Sequence, residues 1–376
     1  MKKLLSLLII FAIISIPVSA TPDVSAQSAI LIEKNSGRIL YSKSADLRLP
    51  IASTTKIMTA LCALEYCDIN MTVTISDTAS GVEGSSMYLE TGEKMTIKEL
   101  LYGLMLSSGN DAAVAISEAT ECDFIQLMNE TADKIGAKNT HFTNPNGLPD
   151  DEHYSTCSDM ARITAYAMQN PDFCEIVRTK SYRIEGEGKA YPRVLVNHNK
   201  LLNAYDGCIG VKTGFTKAAG RCLVSAAERD GMTLICVTLN APNDWNDHKS
   251  MFDYGFSNYK YKAIVQKDTP ITEISIENAD SGPVSVFPEK DLYYPLKDGE
   301  SFTIEYNLYD TISAPVKANS DVGKLSFIIK QSPSALFAEE DISLIVKSDI
   351  NRLSIFHDFG SRFMETLKTF FSIWSG

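Results

Sequence analysis

The sequence predicts an α/β domain with a mostly antiparallel sheet, followed by a small all-β domain and a terminal amphipathic helix. Strand-like segments lie near both ends of residues 21–262, with helical periodicity between them. Near residue 263 the pattern changes to short runs of alternating apolar and polar residues. The chain has 376 residues, of which 44% are hydrophobic, so it is long enough for two domains with their own cores.

Residues 1–20 have the pattern of a secretory signal peptide. Two lysines precede an apolar stretch from Leu4 to Ile16, and Val-Ser-Ala at 18–20 is a small-residue cleavage site. An N-terminal transmembrane anchor is the alternative, but the apolar stretch is short for a span. We therefore expect the leader to be removed and the chain to be exported.

Charge and cysteine content exclude several classes of partner. The net charge is −12, and removal of a leader with two lysines and no acids makes it more negative, so we expect no nucleic-acid partner. None of the eight cysteines forms a C-x-x-C pair, and no histidine pair has zinc-site spacing, so no metal or other cofactor is predicted. Export permits disulfides, yet most cysteines lie in apolar stretches, which favours buried free thiols.

The elements of the first domain, residues 21–262, follow from local patterns. Residues 28–42 predict a hairpin around an Asn-Ser-Gly turn. Thr96 and Glu99 have capping-box spacing at the start of one helix. The predicted helices cover 53–66, 96–107, 111–120, 123–136 and 156–169, and the later strands cover 208–215, 220–228 and 232–240.

Two further units are predicted beyond this domain. Residues 263–348 alternate apolar and polar residues between prolines and glycines, as in 271–276 and 301–306, which predicts a small β-sandwich. Residues 349–376 predict an amphipathic helix that lies in a membrane interface, because its apolar side is aromatic and its polar side basic. A helix docked on the protein itself is the alternative. The apolar side consists of Leu353, Phe356, Phe363, Leu367, Phe370 and Trp374.

Three short motifs indicate the chemistry. They are Ser-Thr-Thr-Lys at 53–56, Ser-Gly-Asn at 108–110 and Lys-Thr-Gly at 212–214. Each motif is weak alone, and Ser-Asn-Tyr-Lys at 257–260 is a chance match to the first. Their order and spacing make the set specific, whereas a Gly-x-Ser-x-Gly motif and a glycine-rich phosphate loop are missing from the sequence.

These residue types suit nucleophilic catalysis. A serine hydroxyl needs a base, and Lys56 can reach Ser53 because residues three apart share a helix face. A lysine acts as a base only if burial or a nearby positive charge lowers its pKa, and Lys212 can supply that charge. Ser108 can relay a proton to the leaving group. The plainer alternative makes Ser53 a helix cap, the lysines solvated and 108–110 an interhelical turn.

The remaining motif residues suit substrate binding. Asn110 can hold a substrate amide, while Lys212 and Thr213 present a cation and a hydroxyl to a carboxylate. Gly214 leaves room for a substrate to approach the backbone. The backbone N–H groups of Ser53 and Phe215 are candidate oxyanion donors.

The motifs resemble those of the low-molecular-mass penicillin-binding proteins, specifically the D-alanyl-D-alanine carboxypeptidases of peptidase family S11. The resemblance covers residues 25–260 and includes the segments 49–59, 106–113, 144–156 and 210–216. It implies a β-lactamase/transpeptidase-like domain with a helical subdomain and an appended β domain.

The resemblance also implies an activity. The enzyme would remove the terminal D-alanine from peptidoglycan stem pentapeptides through an acyl-enzyme on Ser53, with Lys56 as base and no metal. β-Lactams would acylate the same serine. The implied location is the cell envelope, at the outer face of the cytoplasmic membrane.

One departure leaves the binding of the substrate carboxylate open. Many relatives have an arginine after the strand pair, but residues 243–249 contain none, so Thr213 with Lys212, or Lys249, is expected to serve. The alternatives are a β-lactamase, with Glu152 as the nearest candidate deacylating carboxylate, and a non-catalytic sensor of β-lactams or peptidoglycan. Endopeptidase and transpeptidase activities are related possibilities.

Overall fold

A computed structural model describes residues 21–120, 122–185, 192–329, 335–336, 341–353, 363–364 and 366–368. The predicted signal peptide, residues 1–20, lies outside the described residues, as does most of the predicted tail helix.

The first two thirds of the chain alternate helices with strands, several of which pair with strands far along the sequence. Its helices are α1 (Lys56–Tyr66), α2 (Asp77–Ser80), α3 (Ile97–Leu106), α4 (Asn110–Ala119), α5 (Phe124–Lys134), α6 (Cys157–Ala167), α7 (Pro171–Arg178), α8 (Leu201–Ala204) and α9 (Asp244–Asn258). Its strands are β1 (Ser28–Glu33), β2 (Ile39–Lys43), β3 (Thr72–Thr74), β4 (Lys94–Thr96), β5 (Ser181–Ile184), β6 (Arg193–Val196), β7 (Cys208–Thr216), β8 (Gly220–Arg229) and β9 (Met232–Leu239).

Among the described residues, the central sheet of this domain is antiparallel and has the strand order β2-β1-β9-β8-β7. Successive side chains of a strand point to opposite faces, so the sheet separates two cores. Ile30 and Val224 pack with α1 and α3 to α7 on one face, whereas Leu31 and Leu223 pack with α9 on the other. Strand β7 is the last in this order, so one of its edges remains available beside the helices.

Several local predictions are confirmed, and four helices, α2, α7, α8 and α9, were not predicted. The β1–β2 hairpin forms, and Thr96 and Glu99 make the reciprocal capping-box bonds at the start of α3. Helix α9 was not predicted, because three of the first four residues are polar and its fully buried apolar residues, Met251 and Phe252, come only from its middle onwards.

In the part that the structure describes, the regular elements of the second domain are all strands. Its strands are β10 (Tyr259–Val265), β11 (Thr272–Ile274), β12 (Val284–Pro288), β13 (Leu292–Lys297), β14 (Phe302–Leu308), β15 (Asp321–Ile329) and β16 (Ile342–Ile345). Strands β10 and β13 pair with each other, and the others form a sheet in the order β11-β12-β16-β15-β14. Val286, Val322, Leu325 and Leu344 are fully buried in its core. The predicted fold class, a mixed domain followed by a β domain, is confirmed.

The chain stays extended beyond the predicted end of the β domain at residue 348. Ile350 is 3% exposed and forms a bridge with Val316, and Arg352 forms a bridge with Ala279. The backbone N–H of Leu353 donates to Asn278 at 2.7 Å. Residues 349–353 are therefore held by the β domain and are not part of a tail helix.

A buried arginine joins the two domains. Arg38, from the β1–β2 hairpin, pairs with Glu300 and donates to the Pro295 carbonyl in the second domain. Its guanidinium also lies 5.1 Å from the centre of the Tyr259 ring. Within the described ranges, no helix is both long and apolar enough to cross a membrane.

Candidate active site

The turn before α1 presents Ser53 to the side chain of Lys56. Residues Ala52–Thr55 form a 3-10 turn that leads into α1, and Ala52 has a left-handed backbone with φ of 47°. The Lys56 amine lies 2.9 Å from Ser53 Oγ. The cap position of α1 belongs to Thr55 and not to Ser53, so the reading of Ser53 as a helix cap is wrong.

The Lys56 amine is buried among oxygen atoms from three parts of the chain. Besides Ser53 Oγ, it lies 2.7 Å from Asn110 Oδ1 and 2.7 Å from the Asn146 carbonyl oxygen. Burial lowers the pKa of Lys56 well below 10.5, the charge of Lys212 lowers it further, and Asp111 opposes the shift. The predicted proximity of Lys56 and Lys212 is therefore present.

Strand β7 places Lys212 against Ser108. The Lys212 amine lies 3.0 Å from Ser108 Oγ and 2.8 Å from the Thr213 carbonyl oxygen. The lysine is 1% exposed, and burial lowers its pKa to about 7. Ser108 sits between α3 and α4 with φ of 60°, a conformation that is uncommon for a residue other than glycine. The middle motif is thus an interhelical turn that also contributes to the site.

The third motif packs directly on the nucleophile turn. A Cβ atom at Gly214 would lie 3.1 Å from the Ser53 nitrogen and 3.2 Å from Ala52 Cβ, so a side chain there would crowd the turn. Thr213 is half-buried, and Phe215 is 65% exposed. The structure therefore brings the strand motif to the Ser53 turn and leaves the Phe215 ring in solvent.

Asp111, which sequence reasoning missed, holds the loop beside Asn110. Its buried carboxylate accepts hydrogen bonds from Ser86 Oγ at 2.6 Å and from the Met87 and Leu89 backbone N–H groups at 3.1 Å. The same loop accepts from Asn110, whose Nδ2 donates to the Glu83 carbonyl at 2.7 Å. In the sequence, Asp111 is visible only as an acidic residue directly after the Ser-Gly-Asn motif. An acid at that position by itself indicates only stabilisation of a helix N-terminus.

The position of Asp111 also explains why glycine stands in the middle motif. A Cβ atom at residue 109 would lie 2.6 Å from Asp111 Oδ1. A Ser-Asp-Asn version of the motif would therefore place its aspartate where the carboxylate of Asp111 already lies.

The segment 144–156 packs against the nucleophile turn, residues 52–55. The His153 ring accepts at Nδ1 from the Thr143 backbone N–H at 3.1 Å, so Nε2 carries the proton and donates to Thr55 Oγ1 at 2.7 Å. Burial lowers the pKa of His153 to about 4, which keeps the ring neutral near pH 7. His153 therefore positions the turn. A cavity of about 340 Å³ opens beside Ala52, between this segment and Thr216.

Two other candidates from the sequence lie apart from this cluster. Glu152 is exposed and its backbone carbonyl contacts His141, and no carboxylate in the described ranges is hydrogen-bonded to Ser53 or Lys56. All eight cysteines are free thiols; four of them are buried, as expected, whereas three are partly exposed and Cys122 is exposed.

The cluster combines a nucleophilic hydroxyl, a buried amine and a second hydroxyl–amine pair, which defines a serine-type hydrolase site. A family model described as D-alanyl-D-alanine carboxypeptidase matches residues 16–243. A second, described as penicillin-binding protein 5, C-terminal domain, matches residues 259–352. The chain belongs to the D-alanyl-D-alanine carboxypeptidase family, peptidase family S11, as its motifs predicted.

Known relatives span nearly the whole chain. The D-alanyl-D-alanine carboxypeptidase DacF of Bacillus subtilis is 35% identical over 342 residues, covering 84% of this chain and 86% of that protein. The carboxypeptidase DacA of Escherichia coli K12 is 30% identical over 352 residues, covering 86% of this chain and 85% of that protein. The structure of penicillin-binding protein 5 from Haemophilus influenzae has a TM-score of 0.71 at 28% identity, covering 88% of this chain and 99% of that one. The protein is thus a serine-type peptidase of the penicillin-binding class that acts on cell-wall peptidoglycan.

We expect Asp111→Asn to lower kcat/KM for D-alanine release about tenfold or more, because an amide nitrogen would face the Met87 and Leu89 N–H groups. The unsatisfied donors should also cost about 1–3 kcal/mol of unfolding free energy. Steady-state kinetics and thermal unfolding measure both effects. The matched control, Asp123→Asn, alters the cap of α5 and should leave kinetics unchanged. Wild-type kinetics in folded Asp111→Asn would contradict the role of Asp111.

Proposed function

We propose that this enzyme is a serine D-Ala-D-Ala carboxypeptidase that removes the terminal D-alanine of peptidoglycan stem pentapeptides through an acyl-enzyme on Ser53. One observation carries the proposal: the buried Lys56 amine, 2.9 Å from the Ser53 hydroxyl. The family membership and the order of the three motifs support the same substrate class.

The hydrogen-bond inventory of Lys56 supports its role as the base. A neutral amine has two N–H groups to donate and one lone pair. The carbonyl oxygens of Asn110 and Asn146 accept the two N–H groups, and the lone pair then faces the Ser53 O–H. A charged ammonium would instead donate to all three oxygens and could not take the serine proton. The lowered pKa of Lys56 favours the neutral form.

Acylation begins when Ser53 Oγ attacks the carbonyl carbon of the penultimate D-alanine and its proton passes to Lys56. The peptide bond then breaks, and the proton held by Lys56 passes through Ser108, which is bonded to Lys212, to the amine of the terminal D-alanine, so that Lys56 is neutral again. Water then attacks the ester and gives a proton to Lys56. Lys56 passes this proton to Ser53 Oγ as the ester C–O bond breaks, which releases the shortened peptide and restores Ser53.

Backbone and amide groups bind the substrate in this scheme. The N–H groups of Ser53 and Phe215 stabilise the oxyanion, and the close packing of Gly214 on the Ser53 nitrogen supports their pairing. Asn110 Nδ2 uses one N–H for Glu83, which leaves the second N–H for a substrate carbonyl.

β-Lactams acylate Ser53 as substrate mimics in the same proposal. Since no described carboxylate is hydrogen-bonded to Ser53 or Lys56, water lacks a second base and the penicilloyl ester is long-lived. This observation favours a carboxypeptidase over a β-lactamase.

We expect Ser53→Ala to lower D-alanine release by a factor on the order of 10⁴ or more, because the nucleophile is lost. The assay uses a peptide that ends in D-Ala-D-Ala, together with covalent labelling by a fluorescent penicillin. Ser257→Ala is the matched control, since it alters the chance Ser-x-x-Lys match and should retain both signals. Equal release by Ser53→Ala would mean that the nucleophile is misassigned, and no release by folded wild type would favour the sensor.

We further propose that the tail holds the exported enzyme on the membrane surface, as its amphipathic sequence predicts. Truncation after Leu353, whose backbone N–H is bonded to Asn278 of the β domain, should release the protein from membranes with D-alanine release retained. Fractionation of cells that express either form measures this. Membrane association of the mature truncated chain at the level of the full chain would contradict the proposal.

A further inference from the structure

The terminal carboxylate of the substrate needs a cation that Lys212 does not provide. The Lys212 side chain is 1% exposed, and its amine is already bonded to Ser108 Oγ and to the Thr213 carbonyl. Asp247, in the segment where an arginine was sought, bonds to Ser25 through its carboxylate. Another cation near the strand motif is therefore needed to bind this carboxylate.

Strand register places Arg221 beside that motif. Arg221 of β8 lies directly opposite Phe215 of β7, and Leu223 lies opposite Thr213. Opposed residues of an antiparallel pair share a face, as do residues two apart, so Arg221 shares a face with Thr213. Diagonal neighbours in such a pair lie within reach of a long side chain.

The Arg221 guanidinium forms an ion pair with Asp244, and the side chain is partly exposed to solvent. Its Nη2 lies 2.9 Å from Oδ2 of Asp244, whose side chain is 3% exposed, whereas the Arg221 side chain is 41% exposed. The guanidinium also lies 5.7 Å from the centre of the Trp245 ring, within cation–π range. A guanidinium has five N–H groups, so the pair with Asp244 leaves donors for a carboxylate.

Helix geometry argues against Lys249, the other candidate. Asp244 meets Arg221 at the sheet, and His248, four residues later, contacts Ser225 of β8. Lys249 follows Asp244 by five residues, which at 3.6 residues per turn places it about 140° around α9 from Asp244. Its side chain therefore leaves the helix away from the Arg221 face.

We propose that Arg221, oriented by Asp244, binds the terminal carboxylate of the peptide substrate together with the Thr213 hydroxyl. This assignment rests on the proposed carboxypeptidase function and adds the residue that recognises a free C-terminus. In this role Arg221 is a substrate-binding residue, and Asp244 is a positioning residue that acts through it.

The test compares two peptides that differ only at the C-terminus, one ending in D-Ala-D-Ala and one ending in its C-terminal amide. Arg221→Gln should raise KM for the acid about 10- to 100-fold, with a much smaller change in kcat and in the kinetics of the amide. The preference of the enzyme for the acid should fall accordingly. Arg221→Lys should restore part of that preference, because it keeps the charge without the planar fork.

Two matched variants separate this role from a general charge effect. Arg229→Gln removes a guanidinium at the far end of β8, where it lies over the Tyr205 ring, and Lys249→Gln removes the alternative cation. Both should keep the wild-type preference for the acid. Asp244→Asn should weaken the preference, with amide kinetics close to wild type.

The outcomes distinguish this inference from the function on which it rests. No D-alanine release by folded wild type would overturn the carboxypeptidase proposal itself. Release by wild type with an unchanged acid preference in Arg221→Gln would overturn only the assignment of Arg221. Loss of the preference in Lys249→Gln alone would move the assignment to Lys249.

Discussion

The burial of one lysine amine constrains this active site more than any other interaction. A buried ammonium is costly unless it is paired with an anion, and among the described residues the hydrogen-bond partners of the Lys56 amine are neutral oxygens. The pocket therefore favours the uncharged amine, which is the form that can take a proton from Ser53. Lys212, itself buried nearby, adds a repulsion that works in the same direction.

The fold brings those partners together from distant parts of the chain. Ser53 comes from the turn before α1, Asn110 from the start of α4, Asn146 from the segment between α5 and α6, and Lys212 from β7. Close packing allows this convergence, since a side chain at Gly214 or at Gly147 would press on the Ser53 turn. The left-handed backbones of Ala52 and Ser108 fit the same picture, because uncommon conformations persist where the surroundings hold them in place.

Sequence patterns predicted local secondary structure and the protein family well where the signal is local. The capping box at Thr96 and Glu99, the β1–β2 hairpin and the three motifs are all read within a few residues. The lowered pKa of Lys56 was predicted only conditionally. It depends on burial by segments that lie about fifty to a hundred and fifty residues apart in the sequence.

The features missed from the sequence depend on tertiary context. Asp111 shows no special signal until its carboxylate is seen to bind the loop at 86–89. The role proposed for Arg221 can be inferred only from the register of the β7–β8 pair, which places it opposite Phe215. The tail prediction began too early because Ile350 is apolar, and an apolar residue fits the edge of a β domain as well as the start of an amphipathic helix.

The most direct test of this account is an NMR titration of the lysine side chains, with ¹³C label at Cε and with Lys56→Arg and Lys212→Arg to assign two signals. The account predicts that the pKa of Lys56 lies well below 10.5, because its amine is buried, and that Lys212 titrates near pH 7. A Lys56 signal that titrates together with the exposed lysines would contradict the central claim, because the amine would then be charged and could not serve as the base.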